Sequence, residues 1–186
     1  MAEAKRNWKQ KTVLVARWLL PQPLLYGLWH FRPNRMQRPS SEVVSDRRLF
    51  RPQPGVVLEV FCVRLPGVGR GPSASLYALE EEVMRLDCFG ETDGHMHLNP
   101  AHWRVISGLK TPRLYFGTSS IAEQIERSGF ELTRNAAAAL ETNMLGRVRA
   151  FKIDPMALAG AVEDVMREMR LLYERRGNEP WPDANP

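Results

Sequence analysis

The spacing of apolar residues changes once along this chain, close to Ser120. From Val56 up to that point, short β-branched and aromatic runs alternate with polar residues, as they do in strands. After Ser120, apolar residues recur every three or four positions, which is the spacing of one buried helix face. Strands followed by helices predict an α+β fold, an antiparallel sheet of about five strands covered on one face by two C-terminal helices.

Turn-forming residues divide the first part into candidate strands. The predicted strands are residues 56–65, 73–79, 82–89, 95–98 and 113–116. The glycine-rich residues 66–71 predict a loop, and the acidic residues 80–82 predict the turn of a hairpin. A short helix is expected from Asn99 and Pro100 to Ile106, because Asn is favoured at the N-cap and Pro at the first helical position.

The first C-terminal helix is predicted from its start signal and its apolar stripe. Ser120 and Glu123 have the spacing of a capping box, in which each side chain accepts a hydrogen bond from the backbone of the other residue. The apolar spacing then continues through Gly129 to about Gly146. A short strand, residues 147–153, is expected to follow.

The second C-terminal helix is predicted to begin at Asp154 and Pro155, a further N-cap and first-turn pair. Its apolar residues have helical spacing and predict one buried stripe. The stripe consists of Leu158, Val162, Val165, Met169 and Leu172.

The net charge of +5 is unevenly distributed and suggests a domain boundary. Residues 1–55 contain 11 Lys or Arg and 3 Asp or Glu, which leaves 15 and 18 for residues 56–186. We therefore divide the chain into a basic, Pro- and Arg-rich extension (1–55) of the disordered type, an α+β domain (56–176) and a frayed tail (177–186). Only two cysteines are present, without Cys-x-x-Cys spacing, which excludes a disulfide scaffold and favours a reducing, cytoplasmic location.

The N-terminal extension contains an apolar run at residues 13–31 behind a basic cluster. Arg17 lies within this run, and Pro21 and Pro23 interrupt any helix, so neither a transmembrane helix nor a secretory signal is predicted. Basic residues interleaved with Trp suit contact of residues 8–31 with an anionic membrane surface, an RNA or an acidic protein partner. A disordered extension, or a start codon assigned too far upstream, is the alternative.

Candidate site residues cluster between the predicted third strand and the short helix. His95, His97 and His102 lie within eight residues and follow Asp87 and Cys88. Because side chains alternate along a strand, His95 and His97 face the same side. With Asp87 or Cys88 from the neighbouring strand and His102 from the short helix, they predict a site for zinc or another divalent ion. An ion with three protein ligands keeps one position for water, which predicts hydrolysis.

Two other interpretations of these residues stay open. Asp87, His95 and His97 are also a candidate catalytic set without a metal, in which the histidines act as general acid and base on RNA. In the metal-dependent case, Glu91 or Asp93 is the candidate general base. Alternatively the residues are only structural, and the protein is a non-catalytic interaction partner that binds a larger protein through its basic N-terminal arm and helical face.

Two short segments also carry a resemblance. RLDCFG, which contains Asp87, followed by GHMH, which contains His95 and His97, is similar to a signature of small uncharacterised bacterial domains. More loosely, it resembles the aspartate-then-histidine-rich pattern of TumE-like toxins of toxin–antitoxin systems. The resemblance implies a small α+β fold in which these three residues are the matching positions. Cys88 stands where the toxin pattern has asparagine.

Overall fold

A computed structural model of the protein describes residues 43–65, 69–100, 113–117, 119–143 and 145–176. Within these ranges, six strands form one sheet: β1 (Val43–Phe50), β2 (Val56–Leu65), β3 (Gly69–Ala78), β4 (Glu81–Asp87), β5 (His95–Leu98) and β6 (Leu114–Tyr115). The order in the sheet follows the order in the chain, and all neighbouring strands are antiparallel. The helices are α1 (Ile121–Arg134), α2 (Ala136–Glu141), α3 (Gly146–Ala150) and α4 (Pro155–Arg176). The predicted α+β class is confirmed.

Strand β1 was not among the five predicted strands. It lies inside the segment that composition assigned to the N-terminal extension. Its pairing with β2 runs from Val43 to Phe50, so the sheet starts before the predicted boundary at residue 56. The basic residues of β1 are matched by buried carboxylates of the fold: Arg47 pairs with Glu59, and Arg48 pairs with Glu168. The composition of residues 1–55 predicted a solvated segment, because a count of charges does not show that acidic residues far along the chain pair with these arginines.

The β2–β3 hairpin is longer than predicted. Gly69 and Gly71, assigned from sequence to a loop, lie in β3 and pair with Leu65 and Val63. A Cβ atom at Gly71 would lie 1.9 Å from the carbonyl oxygen of Cys88. Glycine is therefore needed here because the backbone at Cys88, just after β4, lies directly against β3. A turn is not the reason.

The first C-terminal helix begins as predicted and ends earlier. The Ser120–Glu123 capping box is present at the start of α1. The helix is interrupted at Asn135, whose side-chain amide donates to the Glu131 carboxylate, and α2 follows directly. The unbroken helix predicted to about Gly146 is therefore wrong at this point.

The strand predicted at residues 147–153 is also wrong. These residues form the short helix α3 followed by extended chain from Phe151. Their period-two pattern reflects two arginines that flank the buried Val148. Arg147 reaches the Glu81 carboxylate and Arg149 donates to the Asn143 carbonyl, so tertiary contacts decide the conformation.

The last helix, α4, matches the prediction closely. The Asp154 carboxylate accepts hydrogen bonds from the first-turn backbone, and the predicted stripe is buried. The helix packs on β2 and β3 and on α1. A Cβ atom at Gly129 of α1 would overlap the sulfur of Met166 in α4, which explains a glycine in mid-helix.

Several predictions fall on parts of the chain outside the described residues. These parts are residues 1–42, most of the predicted helix up to Ile106, which includes His102, and the tail from residue 177. Asn99, the predicted N-cap of that helix, has a φ of 46°, whereas an N-cap is extended. Its side-chain amide instead donates to the Ala139 carbonyl. Among the described helices, none combines the length and apolar character needed for a membrane span.

Candidate metal centre

The sheet has one apolar face and one polar face, and the candidate site lies on the polar face. Leu86 of β4 and Met96 of β5 belong to the core cluster that the helices cover. Their neighbours along the strands point the other way. The strand register aligns these polar neighbours in two cross-strand rows, Ser73–Asp87–His95–Tyr115 and Ser75–Arg85–His97. The pairing of β4 with β5 thus brings together the aspartate and two of the histidines that the sequence singled out.

Asp87 is a fully buried carboxylate at the centre of the site, with 1% of its surface exposed. Its Oδ1 accepts a hydrogen bond of 2.7 Å from the Ser73 hydroxyl, and the Nε of Arg85 lies 3.0 and 3.1 Å from its two oxygens. Burial acts to raise the pKa of Asp87. The Arg85 guanidinium and the hydrogen bond from Ser73 act in the opposite direction and hold that pKa below its ordinary value, so the carboxylate is charged.

His95 is completely buried, and its two ring nitrogens have different surroundings. The Nδ1 atom lies 2.7 Å from the backbone carbonyl of Asp93, and because a carbonyl oxygen only accepts, Nδ1 carries the proton. The Nε2 atom therefore presents a lone pair. Within the part of the chain that the structure describes, it has no hydrogen-bond partner, and it lies 3.5 Å from Oδ2 of Asp87.

The imidazole of His95 is surrounded by aromatic rings and stays neutral. Its ring centroid lies 5.7 Å from that of Phe89, 4.9 Å from that of His97 and 5.8 Å from that of Tyr115. Burial lowers the pKa of His95 and outweighs the opposing effect of Asp87. A lone pair and a carboxylate thus face each other, an arrangement that a cation between them would stabilise.

His97 completes the group and is partly exposed. One ligand atom from each of Asp87, His95 and His97 lies within 4.8 Å of the others, so these residues could hold a metal ion. Two imidazole nitrogens and one carboxylate oxygen are a donor set that zinc accepts. The hydrogen bond from Nδ1 of His95 to a backbone carbonyl is the usual arrangement behind a metal-binding histidine.

The other residues proposed from sequence have different positions. Cys88, the alternative third ligand, points into the apolar core, where its sulfur lies 3.3 Å from the Ser128 hydroxyl. Burial raises the pKa of its thiol to about 12. Glu91 and Asp93, the candidate general bases, have exposed side chains and are not members of the three-residue group, although the Asp93 carbonyl orients His95. His102 lies outside the described residues.

The sequence analysis did not identify one buried polar residue that contacts the chain next to the site, Gln124 of α1. Its side-chain amide binds the backbone of the connection between β4 and β5, residues 88–94, which we call the site loop. The sequence did contain a signal for this residue: Gln124 is polar, but helical spacing places it on the buried face of α1, next to Ile125 and four positions before Ser128. Such a position calls for a hydrogen-bond partner from elsewhere in the fold.

Comparisons of the whole chain with protein-family models, curated proteins and solved structures find no match.

Proposed function

We propose that Asp87, His95 and His97 bind a divalent transition-metal ion, with zinc as the first candidate, and that the protein is a metal-dependent hydrolase. The observation that carries the proposal is the buried Nε2 of His95. A buried polar atom without a partner is rare in folded proteins and destabilising. A cation shared with Asp87 would satisfy it.

The donor set supports zinc at this position. The Asp87 carboxylate keeps lone pairs for a metal, because the Ser73 hydroxyl and the Nε of Arg85 occupy only part of the capacity of its two oxygens. Its Oδ2 lies 3.5 Å from Nε2 of His95. Three protein ligands leave one position of a tetrahedral site for water, whose pKa a zinc ion lowers towards neutrality. Among the three ligands, the partly exposed His97 is the one through which solvent approaches.

The charges beside the site favour an anionic substrate, for which we propose the phosphodiester backbone of RNA. The guanidinium of Arg85 is almost fully buried, lies 5.5 Å from the centre of the Phe61 ring and neighbours His97 in the cross-strand row. Arg113 also acts electrostatically on His95. Positive charge of this kind attracts the phosphate groups of a substrate, and the Asp87 carboxylate offsets part of the charge of Arg85. The basic N-terminal segment adds non-specific attraction to RNA.

The metal-free acid–base mechanism fits the geometry less well. A general acid must carry a proton that it can donate to the leaving group. Burial keeps His95 neutral, and its proton is on the nitrogen that binds the Asp93 carbonyl. The remaining nitrogen faces Asp87, so in this arrangement His95 has no proton directed towards a substrate.

A non-catalytic interaction protein is the second candidate, and one observation favours it. Helices α1 and α4 expose large apolar side chains, with Phe130 at 53% and Met156 at 86%. Exposed apolar side chains on helices suit a protein partner where they form one contiguous patch. In that case Asp87, His95 and His97 hold a structural ion or none, and the protein lacks hydrolytic activity.

The first experiment measures zinc affinity by competition with a chromogenic chelator, using full-length protein purified without a His-tag. The test variant is His97→Asn, because its partly exposed position makes it the ligand least needed for folding. The matched control is Glu126→Gln, which removes a carboxylate from an exposed pair with Arg170. We expect one zinc ion per chain, a loss of affinity of at least about 100-fold in His97→Asn, and no change in the control. Equal binding by wild type and His97→Asn would contradict the site.

The second experiment tests hydrolysis of a fluorescent single-stranded RNA. Zinc-loaded protein is expected to cleave it, EDTA to abolish cleavage, and added zinc to restore it. Cleavage that persists in EDTA and requires His95 would support the metal-free mechanism. Zinc binding without cleavage would favour the interaction protein.

A further inference from the structure

The backbone around His95 is held by one side chain from the opposite layer of the fold. The site loop, residues 88–94, leaves β4 after Asp87 and returns to β5 at His95. Asp93, whose carbonyl accepts the Nδ1 proton of His95, lies in this loop. The position of that carbonyl therefore determines which nitrogen of His95 carries the proton.

Gln124 of α1 is fully buried, and its amide group makes two hydrogen bonds to this loop and one to Ser119 before the helix. Its Oε1 accepts from the Gly90 backbone N–H at 2.9 Å. Its Nε2 donates to the carbonyl of Glu91 at 3.4 Å and to that of Ser119 at 3.3 Å. Since Glu91 and Ser119 are themselves bridged through their backbones, the amide joins the loop to the start of the helix.

The same side chain also contacts the loop at its far end. A Cβ atom at Gly94, the residue between Asp93 and His95, would lie 2.0 Å from Oε1 of Gln124. Only glycine permits this approach. Gln124 therefore fits against both ends of the segment that carries the Asp93 carbonyl, and the Gly90 carbonyl closes the turn by accepting from the Asp93 N–H.

We propose that Gln124 is a positioning residue of the candidate metal centre: by fixing the site loop it holds the Asp93 carbonyl on Nδ1 of His95, so that the lone pair of Nε2 is directed at the metal position. This inference rests on the proposed metal site and adds to it the residue that prepares its histidine ligand. Groups that orient a metal-binding histidine in this way commonly change metal affinity by about 10- to 100-fold when they are removed.

The experiment reads the tautomer of His95 directly and does not depend on activity. Protein labelled with ¹⁵N-histidine is prepared metal-free, and long-range ¹H–¹⁵N spectra assign the protonated ring nitrogen. The test variant is Gln124→Leu, which keeps bulk and removes all three hydrogen bonds. The matched control is Thr133→Ala in the same helix, because the Thr133 hydroxyl donates to the Gly129 carbonyl, one turn away in α1 and outside the site loop.

We expect wild type and Thr133→Ala to show His95 protonated at Nδ1, and Gln124→Leu to show a mixture with the Nε2-protonated form. Zinc affinity should fall about 10- to 100-fold in Gln124→Leu and stay unchanged in the control. An unchanged His95 tautomer in Gln124→Leu would overturn the inference. If Gln124→Leu does not fold, Gln124→Glu keeps the size of the side chain and the acceptor for Gly90, and its loss of both amide donations should shift the tautomer in the same direction.

The two proposals fail separately. If wild type binds no zinc but Gln124→Leu shifts the His95 tautomer, the positioning role stands and the metal function is wrong. If wild type binds zinc and the tautomer and affinity of Gln124→Leu match wild type, the metal site stands and the role of Gln124 is wrong.

Discussion

Replacing Asp87 by asparagine tests the electrostatics on which the candidate site depends. Arg85 and Asp87 are both at least 94% buried, and asparagine would remove the carboxylate charge that pairs with the guanidinium. Removing one partner of a buried ion pair destabilises a protein by about 3–5 kcal/mol. The new amide N–H can donate to the lone pair of His95 Nε2, which recovers about 1 kcal/mol. The expected net loss in the free energy of unfolding is therefore about 2–4 kcal/mol.

The assay is urea denaturation in EDTA, followed by far-ultraviolet circular dichroism. The matched control is Glu126→Gln, which breaks an ion pair with Arg170 in which both side chains are about half exposed. Exposed pairs contribute about 0–1 kcal/mol, so the control should be close to wild type. The dependence of unfolding on urea should keep its slope in both variants, because the surface exposed on unfolding is unchanged.

A double variant shows whether the loss of stability comes from the charge that remains on Arg85. Arg85→Met combined with Asp87→Asn removes the guanidinium and leaves an apolar side chain beside Phe61, which Arg85 contacts in wild type. Removing both charges of a buried ion pair costs much less than removing only one of them. We expect the double variant to be at least about 2 kcal/mol more stable than Asp87→Asn. If Asp87→Asn costs less than about 1 kcal/mol, the reasoning is refuted, because the buried pair would then carry no net charge interaction.

Two further predictions concern the cysteines and the glycines. Burial raises the pKa of Cys62 to about 11 and that of Cys88 to about 12. Neither thiol should therefore react with Ellman's reagent at pH 8 until urea unfolds the chain. Fast labelling of the native protein would contradict their burial. Gly71→Ala should lower the free energy of unfolding in urea by about 3 kcal/mol or more, because its Cβ would overlap the Cys88 carbonyl. The added Cβ of Gly160→Ala in α4 meets open space, and this variant should raise the free energy of unfolding by about 0.5–1 kcal/mol. Equal effects of the two substitutions would show that the close approach at Gly71 is wrong.

Local signals in the sequence were sufficient for the α+β class, for the starts of two helices and for placing the three candidate ligands close together. The capping box at Ser120 and the N-cap at Asp154 involve atoms within three residues of each other, and both helix starts are as predicted. Alternation along β5 placed His95 and His97 on one face, and Asp87 on the neighbouring strand joined them. Signals of this range are encoded in the spacing of residues along the chain.

Contacts between distant residues decided what the sequence left open. The strand β1 is stabilised by carboxylates far along the chain, such as Glu168, which no window around Arg48 contains. The choice between Asp87 and Cys88 as the third ligand depended on strand register, since neighbouring residues point to opposite faces. Gln124 reaches the site loop across 33 or more residues of chain. Packing of α1 against the loop is a property of the tertiary fold, and it determines which nitrogen of His95 presents its lone pair to Asp87.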